Sequence, residues 1–200
     1  RVHMIGLFAA IPAVTLLIVF ANGARATVGA AIYAAGVCAM LAASTTYHRW
    51  VSDYRARAAW RRADHAMIFA AMGGSATPVV LIVMPSAWGI GLLSVVWAMS
   101  VAGAVFKLGR WHRGDAIGAA LIPTVSGLAA LALPALWVRG GVVPAMLYLL
   151  SGSLYILGAL WFGKTWPRLR PAVFSYHEVW HVFTVAAAAA HFASVWAIST

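Results

Sequence analysis

Two histidines near the end of the chain have the spacing of a metal-binding pair. His177 and His181 lie four residues apart in the segment FSYHEVWHVF. In a helix this spacing puts both imidazoles on one face, as a chelating pair requires. The pattern His-Glu-x-x-His is also the zinc motif of soluble metalloproteases, in which the Glu is the general base. The motif alone therefore leaves open a protease, another metal site or a coincidence of spacing.

Three further polar residues occur in apolar stretches, where a polar side chain is costly and suggests function. Ser44 and His48 lie four residues apart in ASTTYHRW, and Asp64 occurs in RRADHAMIF. Each has an ordinary explanation when taken alone. The histidine can lie at a membrane interface, the serine can bond to its own helix, and the aspartate can cap a first helical turn. These three residues are predicted to lie at the same depth in the membrane as the histidine pair. That common depth favours a single metal site to which all five residues belong.

The residue types favour zinc as the metal. Neutral imidazoles suit zinc, copper, iron and nickel, and the sequence offers neither a thiolate set nor a carboxylate cluster. The three histidines His48, His177 and His181 with one open position give the layout of catalytic zinc, whose fourth ligand is water. Zinc lowers the pKa of that water to about 7. We expect Asp64 to orient the water or accept its proton, and Ser44 to hold Asp64, the water or an oxyanion.

The protease interpretation is less favoured by the residues that follow the motif. Glu178 is the last acidic residue of the chain, so no later carboxylate can be a third ligand. The longer metzincin motif needs a Gly and a His where this chain has Thr184 and Ala187. His191 lies about 15 Å farther along a helix than His181. An intramembrane metalloprotease with a third ligand from another segment stays an alternative, with Glu178 expected beside the site rather than acting as base.

The composition indicates a membrane protein. Of the 200 residues, 64% are hydrophobic and 9% are charged, whereas about a quarter of a soluble domain is charged. A helix needs about 20 apolar residues to cross a bilayer. The fold is therefore predicted to be all-α, a seven-transmembrane helix bundle that forms a single domain over residues 1–200. The first span could instead be a signal peptide, although its apolar stretch is long for one. The predicted spans are 4–22, 27–48, 64–84, 88–106, 115–135, 142–162 and 176–197.

The basic residues predict the orientation of this bundle. They concentrate in the second, fourth and sixth connections, so the N-terminus is expected to be cytoplasmic and the C-terminus outside. The metal site then lies near the cytoplasmic side. The net charge of +10 follows mostly from this topology, and no nucleic-acid partner is expected. The basic residues predicted on the cytoplasmic side are Arg1, Arg49, Arg55, Arg57, Arg61, Arg62, Lys107, Arg110, Arg113, Lys164, Arg168 and Arg170.

The remaining histidines are not predicted to bind the metal. His65 points about 100° around the helix from Asp64. His112 lies among arginines in a connection, and His3 is expected at the cytoplasmic interface. The sequence also gives no indication of an oligomeric state.

Three segments together resemble a known family. ASTTYHRW, RRADHAMIFAAMGGSATPVV and SYHEVWHVFTVAAAAAHF are similar to the signature segments of the hemolysin III family. These proteins are bacterial relatives of the progestin and adipoQ receptors, which include the adiponectin receptors. The resemblance covers essentially the whole chain, and the ordered combination of the motifs is specific. The chain departs from the family at Ala76, where members often have a Tyr, which puts in doubt a polar contact deeper in the cavity.

The resemblance implies a seven-helix protein of the bacterial cytoplasmic membrane. It implies Zn2+ held by His48, His177 and His181, with Asp64 bonded to the zinc-bound water and Ser44 supporting the site. The family is similar to membrane hydrolases such as alkaline ceramidases, which implies a zinc-activated water that hydrolyses a lipid amide or ester from the surrounding bilayer. The alternative is a non-catalytic, zinc-stabilised membrane regulator or receptor. A pore-forming hemolysin is a less favoured interpretation.

Overall fold

The chain folds as a bundle of long helices. The computed structural model describes residues 2–109, 114–167, 169 and 174–200, and leaves out the side chains of 114–119. The described residues contain no β-strand, and seven helical segments are long and apolar enough to cross a membrane. The predicted seven-helix architecture is therefore confirmed. The helices are α1 (Val2–Phe20), α2 (Ala24–Arg49), α3 (Tyr54–Val83), α4 (Ser86–Leu108), α5 (Gly114–Ala130), α6 (Leu133–Ala135), α7 (Val142–Gly163) and α8 (Tyr176–Ser199).

Some predicted positions fall outside this description. His112, which the sequence places in a basic connection, lies outside the described residues. The same holds for several charges used to predict the orientation, namely Arg1, Arg110, Arg113, Arg168 and Arg170. The charges used for the orientation that the structure does describe are Arg49, Arg55, Arg57, Arg61, Arg62, Lys107 and Lys164.

The fifth span is built from more than one helix. After α5 the chain turns, forms the single turn α6 and continues as a π-helical turn over Leu136–Gly140. The apolar segment thus reaches Gly140, beyond the predicted end at 135. Gly141 ends it with a φ of 98°, a left-handed conformation that suits glycine because no Cβ is present. The chain then enters α7.

Helix α3 begins ten residues before the predicted start of the third span at 64. Asp53 is its N-cap, and the Asp53 carboxylate accepts a hydrogen bond of 2.7 Å from the backbone N–H of Ala56. Hydropathy misses this start because the first turns are rich in arginine. Asp64 consequently lies inside α3, and the expectation that it opens the helix, where it could act as a cap, is wrong.

The closest helix pairing in the bundle joins α2 and α3. A Cβ on Gly36 would lie 2.7 Å from the carbonyl oxygen of Ala70, and one on Gly29 would lie 2.7 Å from the Cα of Pro78. Glycines at such contacts let two backbones approach, which is a common basis of helix packing in membranes. This pairing fixes the start and middle of α2 against the end and middle of α3. The antiparallel register that it sets brings Ser44 and Asp64 to the same end of the bundle.

A shared core joins α1, α2, α3 and α8 with the π-helical turn Leu136–Gly140. It includes fully buried side chains from five elements, namely Leu17, Tyr33, Val79, Leu136 and Val195. Helix α8 packs against α7 and α1 and also contacts α2 and α3. Successive spans run in opposite directions through the bundle. The first residues of α1, α3 and α8 therefore lie at the same end of the bundle as the last residues of α2.

The glycine contact between α2 and α3 gives a first prediction. Gly36→Ala should destabilise the bundle by about 1–3 kcal/mol, because the added methyl group must push the Ala70 backbone away. Gly152, in α7, has nothing within 4 Å of an added Cβ. Gly152→Ala should therefore leave the melting temperature unchanged or raise it slightly, since alanine favours helix.

The measurement is thermal unfolding in detergent, followed by circular dichroism for both variants and the wild type. Equal melting temperatures for Gly36→Ala and Gly152→Ala would contradict a tight α2–α3 contact.

Candidate metal centre

Three histidines from two helices meet at one end of the bundle. His48, His177 and His181 each offer a ring nitrogen, and these nitrogens lie within 4.8 Å of one another. The ring centroids are 4.6 Å apart for His177 and His181, 5.3 Å for His48 and His181, and 5.5 Å for His48 and His177. Two nitrogens bound to one tetrahedral zinc ion are about 3.4 Å apart. The three side chains therefore have to bring their ring nitrogens closer together to reach coordination distances.

The local structure at the start of α8 fixes the orientation of the histidine pair. His177 and His181 lie in its first two turns, one turn apart. The backbone N–H of Ser175 donates to Oε2 of Glu178 at 2.7 Å, as in a capping box. The Glu178 carboxylate is thus engaged in starting the helix, which argues against a role for it as the general base of a metalloprotease.

Asp64 lies beside the three imidazoles. Its Oδ2 is 3.7 Å from Nε2 of His48, which is longer than a hydrogen bond. The Asp64 side chain is 14% exposed, so the carboxylate is partly protected yet borders the site. This position is close enough for the carboxylate to contact a water molecule held at the histidines.

Ser44 is the most deeply placed of the predicted site residues. It is 1% exposed and lies one turn before His48 on α2. Its side chain interacts with the Asp64 carboxylate, and its Oγ lies 2.6 Å from Nδ1 of His3. The structure therefore brings all five predicted site residues to one end of the bundle.

His3 is a residue of this site that sequence reasoning missed. Its Nε2 lies 2.8 Å from Nδ1 of His181 and 3.3 Å from Oγ1 of Thr184. The sequence predicts His3 at the cytoplasmic interface and outside the metal site. A polar residue in the first turn of an apolar helix was the only available signal, since no spacing in the sequence connects His3 with α2 or α8.

A cavity adjoins the histidines at the same end of the bundle. Its volume is about 250 Å³, and its lining includes His48, His177, His181 and Ser44. The donor set fits zinc, because it consists of imidazoles, which can bind a divalent ion while a fourth position faces the cavity. Such an arrangement can hold a metal ion and admit a small polar group beside it.

Most of the sequence matches one protein family. The model of the haemolysin-III related family matches residues 1–192. The chain belongs to the haemolysin-III related family. It is 26% identical over 193 residues to the hemolysin-3 homolog of Bacillus subtilis (strain 168), covering 95% of this chain and 87% of the relative. It is 27% identical over 193 residues to hemolysin-3 of Bacillus cereus, covering 95% of this chain and 85% of the relative.

The family match confirms the resemblance seen in the three motifs. It extends over α1 to most of α8 and so includes every residue of the candidate centre, His3 among them. A member of the haemolysin-III related family with seven apolar helices is a multi-pass membrane protein. The centre described above is therefore a polar site at one end of a membrane bundle.

The geometry of the three histidines predicts their effect on metal binding. His48→Ala, His177→Ala and His181→Ala should each abolish stoichiometric zinc binding, because two imidazoles without a third protein ligand hold the ion far more weakly. Elemental mass spectrometry of detergent-purified protein, after incubation with zinc and desalting, gives the metal content.

His65→Ala is the matched control, since His65 lies next to Asp64 in α3 but outside the group of three. It should retain the metal content of the wild type. Stoichiometric zinc in all three ligand variants would contradict the proposed metal centre.

Proposed function

We propose that this membrane protein is a zinc-dependent hydrolase that acts on an amide or ester bond of a membrane lipid. The observation that carries the proposal is the combination of three converging imidazoles, a neighbouring carboxylate and an adjoining cavity at one end of a membrane bundle. In hydrolysis the imidazoles bind the metal, the carboxylate accepts a proton and the cavity admits the substrate. Metal binding alone would need only the imidazoles.

The position of Asp64 favours catalysis over a purely structural metal. Structural zinc sites are closed, with four protein ligands, whereas catalytic sites keep a position for water or substrate. The Asp64 carboxylate lies 3.7 Å from Nε2 of His48, beside the histidine group rather than within it. With the cavity adjoining the group, this geometry supports the hydrolase over the alternative of a zinc-stabilised regulator or receptor.

The chain supplies defined groups for the chemical steps. Bound zinc provides a Lewis acid and a water molecule with a pKa of about 7. Asp64 accepts a proton from water and returns it to the amine or alcohol that leaves, a role supported by its distance of 3.7 Å from Nε2 of His48. The hydrogen bond from Ser44 orients the Asp64 carboxylate. The net result is addition of water across the carbonyl C–N or C–O bond.

The location of the site suits a lipid substrate. The amide or ester groups of membrane lipids lie between headgroup and hydrocarbon, which is also the level at which spanning helices end. His48 lies in the last turn of α2 and His177 in the first turn of α8. Large apolar side chains cover the outside of the bundle, including Ile5 and Phe8 on the same first helix as His3. A lipid can therefore approach from the bilayer with its carbonyl at the correct depth.

The charges around the site support a cytoplasmic position. The connection between α2 and α3 and the first turns of α3 lie at the end of the bundle that holds the histidines. They carry Arg49, Arg55, Arg57, Arg61 and Arg62. By the positive-inside rule, such a cluster stays in the cytoplasm. We propose on this basis that the site faces the cytoplasm from a bacterial cytoplasmic membrane, with the N-terminus on the same side.

The role of Asp64 gives a prediction that separates chemistry from metal binding. Asp64→Asn should keep zinc binding, because the three imidazoles are intact, while lipid hydrolysis should fall at least about 100-fold through loss of the proton acceptor. Asp53→Asn is the matched control, since Asp53 only caps α3 and asparagine is an equally good N-cap. Its rate should equal that of the wild type.

The assay measures fatty-acid release from a panel of ceramides, other acyl amides and glycerolipid esters in detergent or vesicles. Zinc-loaded wild type that releases no fatty acid from any of them would reject the hydrolase and leave the regulator as the explanation of the site. Equal rates for Asp64→Asn and the wild type would reject the role of Asp64.

A further inference from the structure

The first turn of α1 reaches into the candidate metal centre through His3. One ring nitrogen of His3, Nε2, lies 2.8 Å from Nδ1 of His181. The other, Nδ1, lies 2.6 Å from Oγ of Ser44. His3 therefore bridges a metal-binding histidine on α8 and a serine on α2, a task that neither the ligand set nor the proposed proton acceptor explains.

The hydrogen-bond directions follow from the need of His181 to bind a metal. With Nδ1 of His181 facing His3, Nε2 is the nitrogen left for the ion. A neutral imidazole that binds through Nε2 carries its proton on Nδ1, so His181 donates to Nε2 of His3. Thr184 does not compete as a donor, because its hydroxyl donates to the backbone carbonyl of His181 at 2.9 Å.

The same reasoning determines which ring nitrogen of His3 carries its proton. Since Nε2 of His3 accepts from His181, the proton of the neutral His3 ring lies on Nδ1 and is donated to Ser44. The Ser44 hydroxyl, having accepted this bond, remains able to donate its own proton to the Asp64 carboxylate with which it interacts. Each donor in this series thus finds an acceptor, and the series crosses four helices.

We infer that His3 is a positioning residue that holds His181 in its metal-binding tautomer and orientation and connects it with Ser44 and Asp64. Metal-binding histidines generally donate a hydrogen bond from their second ring N–H to an acceptor outside the ligand set, and loss of that acceptor typically weakens metal binding about 10–100-fold. The inference rests on the metal centre of the proposed function and does not require turnover.

Three substitutions of His3 separate its two contacts. His3→Gln retains a side-chain oxygen at the level of Nε2, which can still accept from His181. His3→Asn is shorter and matches only the level of Nδ1, which faces Ser44. His3→Ala removes both contacts. We expect zinc dissociation constants about 10–100-fold higher for His3→Ala and His3→Asn, and a value near that of the wild type for His3→Gln.

The experiment measures zinc affinity by competition with a chromophoric chelator in detergent. The visible spectrum of the cobalt-substituted protein reports the coordination directly. If His3 acts only through His181, the cobalt spectrum of His3→Gln should match that of the wild type. His65→Gln controls for the same chemical change at a histidine outside the metal group and should leave the affinity unchanged. Circular dichroism of the metal-free variants shows whether the bundle is intact.

Two results would overturn the inference. Wild-type zinc affinity in all three His3 variants would mean that His181 needs no partner. Complete loss of metal in all three, including His3→Gln, with the bundle intact, would make His3 a fourth ligand and the site a closed one. Wild-type protein that binds no zinc would instead reject the metal centre of the proposed function, so the two failures can be told apart.

Discussion

The constraint on which this structure depends is that polar groups within a bilayer must be satisfied by the protein itself. Several hydroxyl groups among the described residues meet it locally. Thr15, Ser94 and Thr124 each donate to the backbone carbonyl four residues earlier in their own helix. An imidazole or carboxylate inside a helix has no such local solution and needs a partner on another helix. His3 finds such partners in Ser44 on α2 and His181 on α8, and His191 finds one in the Ser75 carbonyl on α3.

Helix packing determines which partners are available. Close contact at Gly29 and Gly36 fixes α2 against α3, and this brings Ser44 next to Asp64. The shared core then holds α1 and α8 on the other side of α2. The site residues themselves contribute little apolar burial, so the glycine contacts and the core set the distances within the centre. The geometry of the candidate metal centre therefore depends on close backbone contacts between helices that lie some distance from the centre.

The sequence predicts those features that have a local signal. Seven apolar stretches predict seven spans, and the four-residue spacings predict that His177 and His181, and likewise Ser44 and His48, share helix faces. The start of α3 has a different signal, a cap at Asp53 followed by arginines, which hydropathy does not detect. The contact between His3 and His181 joins positions 178 apart in the chain. It depends on how α1 packs against α8, which no pattern within either segment specifies.

The contacts that connect His181 with Asp64 also bear on the choice between an enzyme and a non-catalytic regulator. Any ion that binds the folded bundle and not the unfolded chain stabilises it, so a structural effect of metal accompanies a catalytic one and does not argue against it. What a purely structural metal does not require is Asp64 beside the ligands and a series of bonds that connects it to His181 through His3 and Ser44. Because that series crosses four helices, a shift of any one of them would disturb the metal ligand and the carboxylate together.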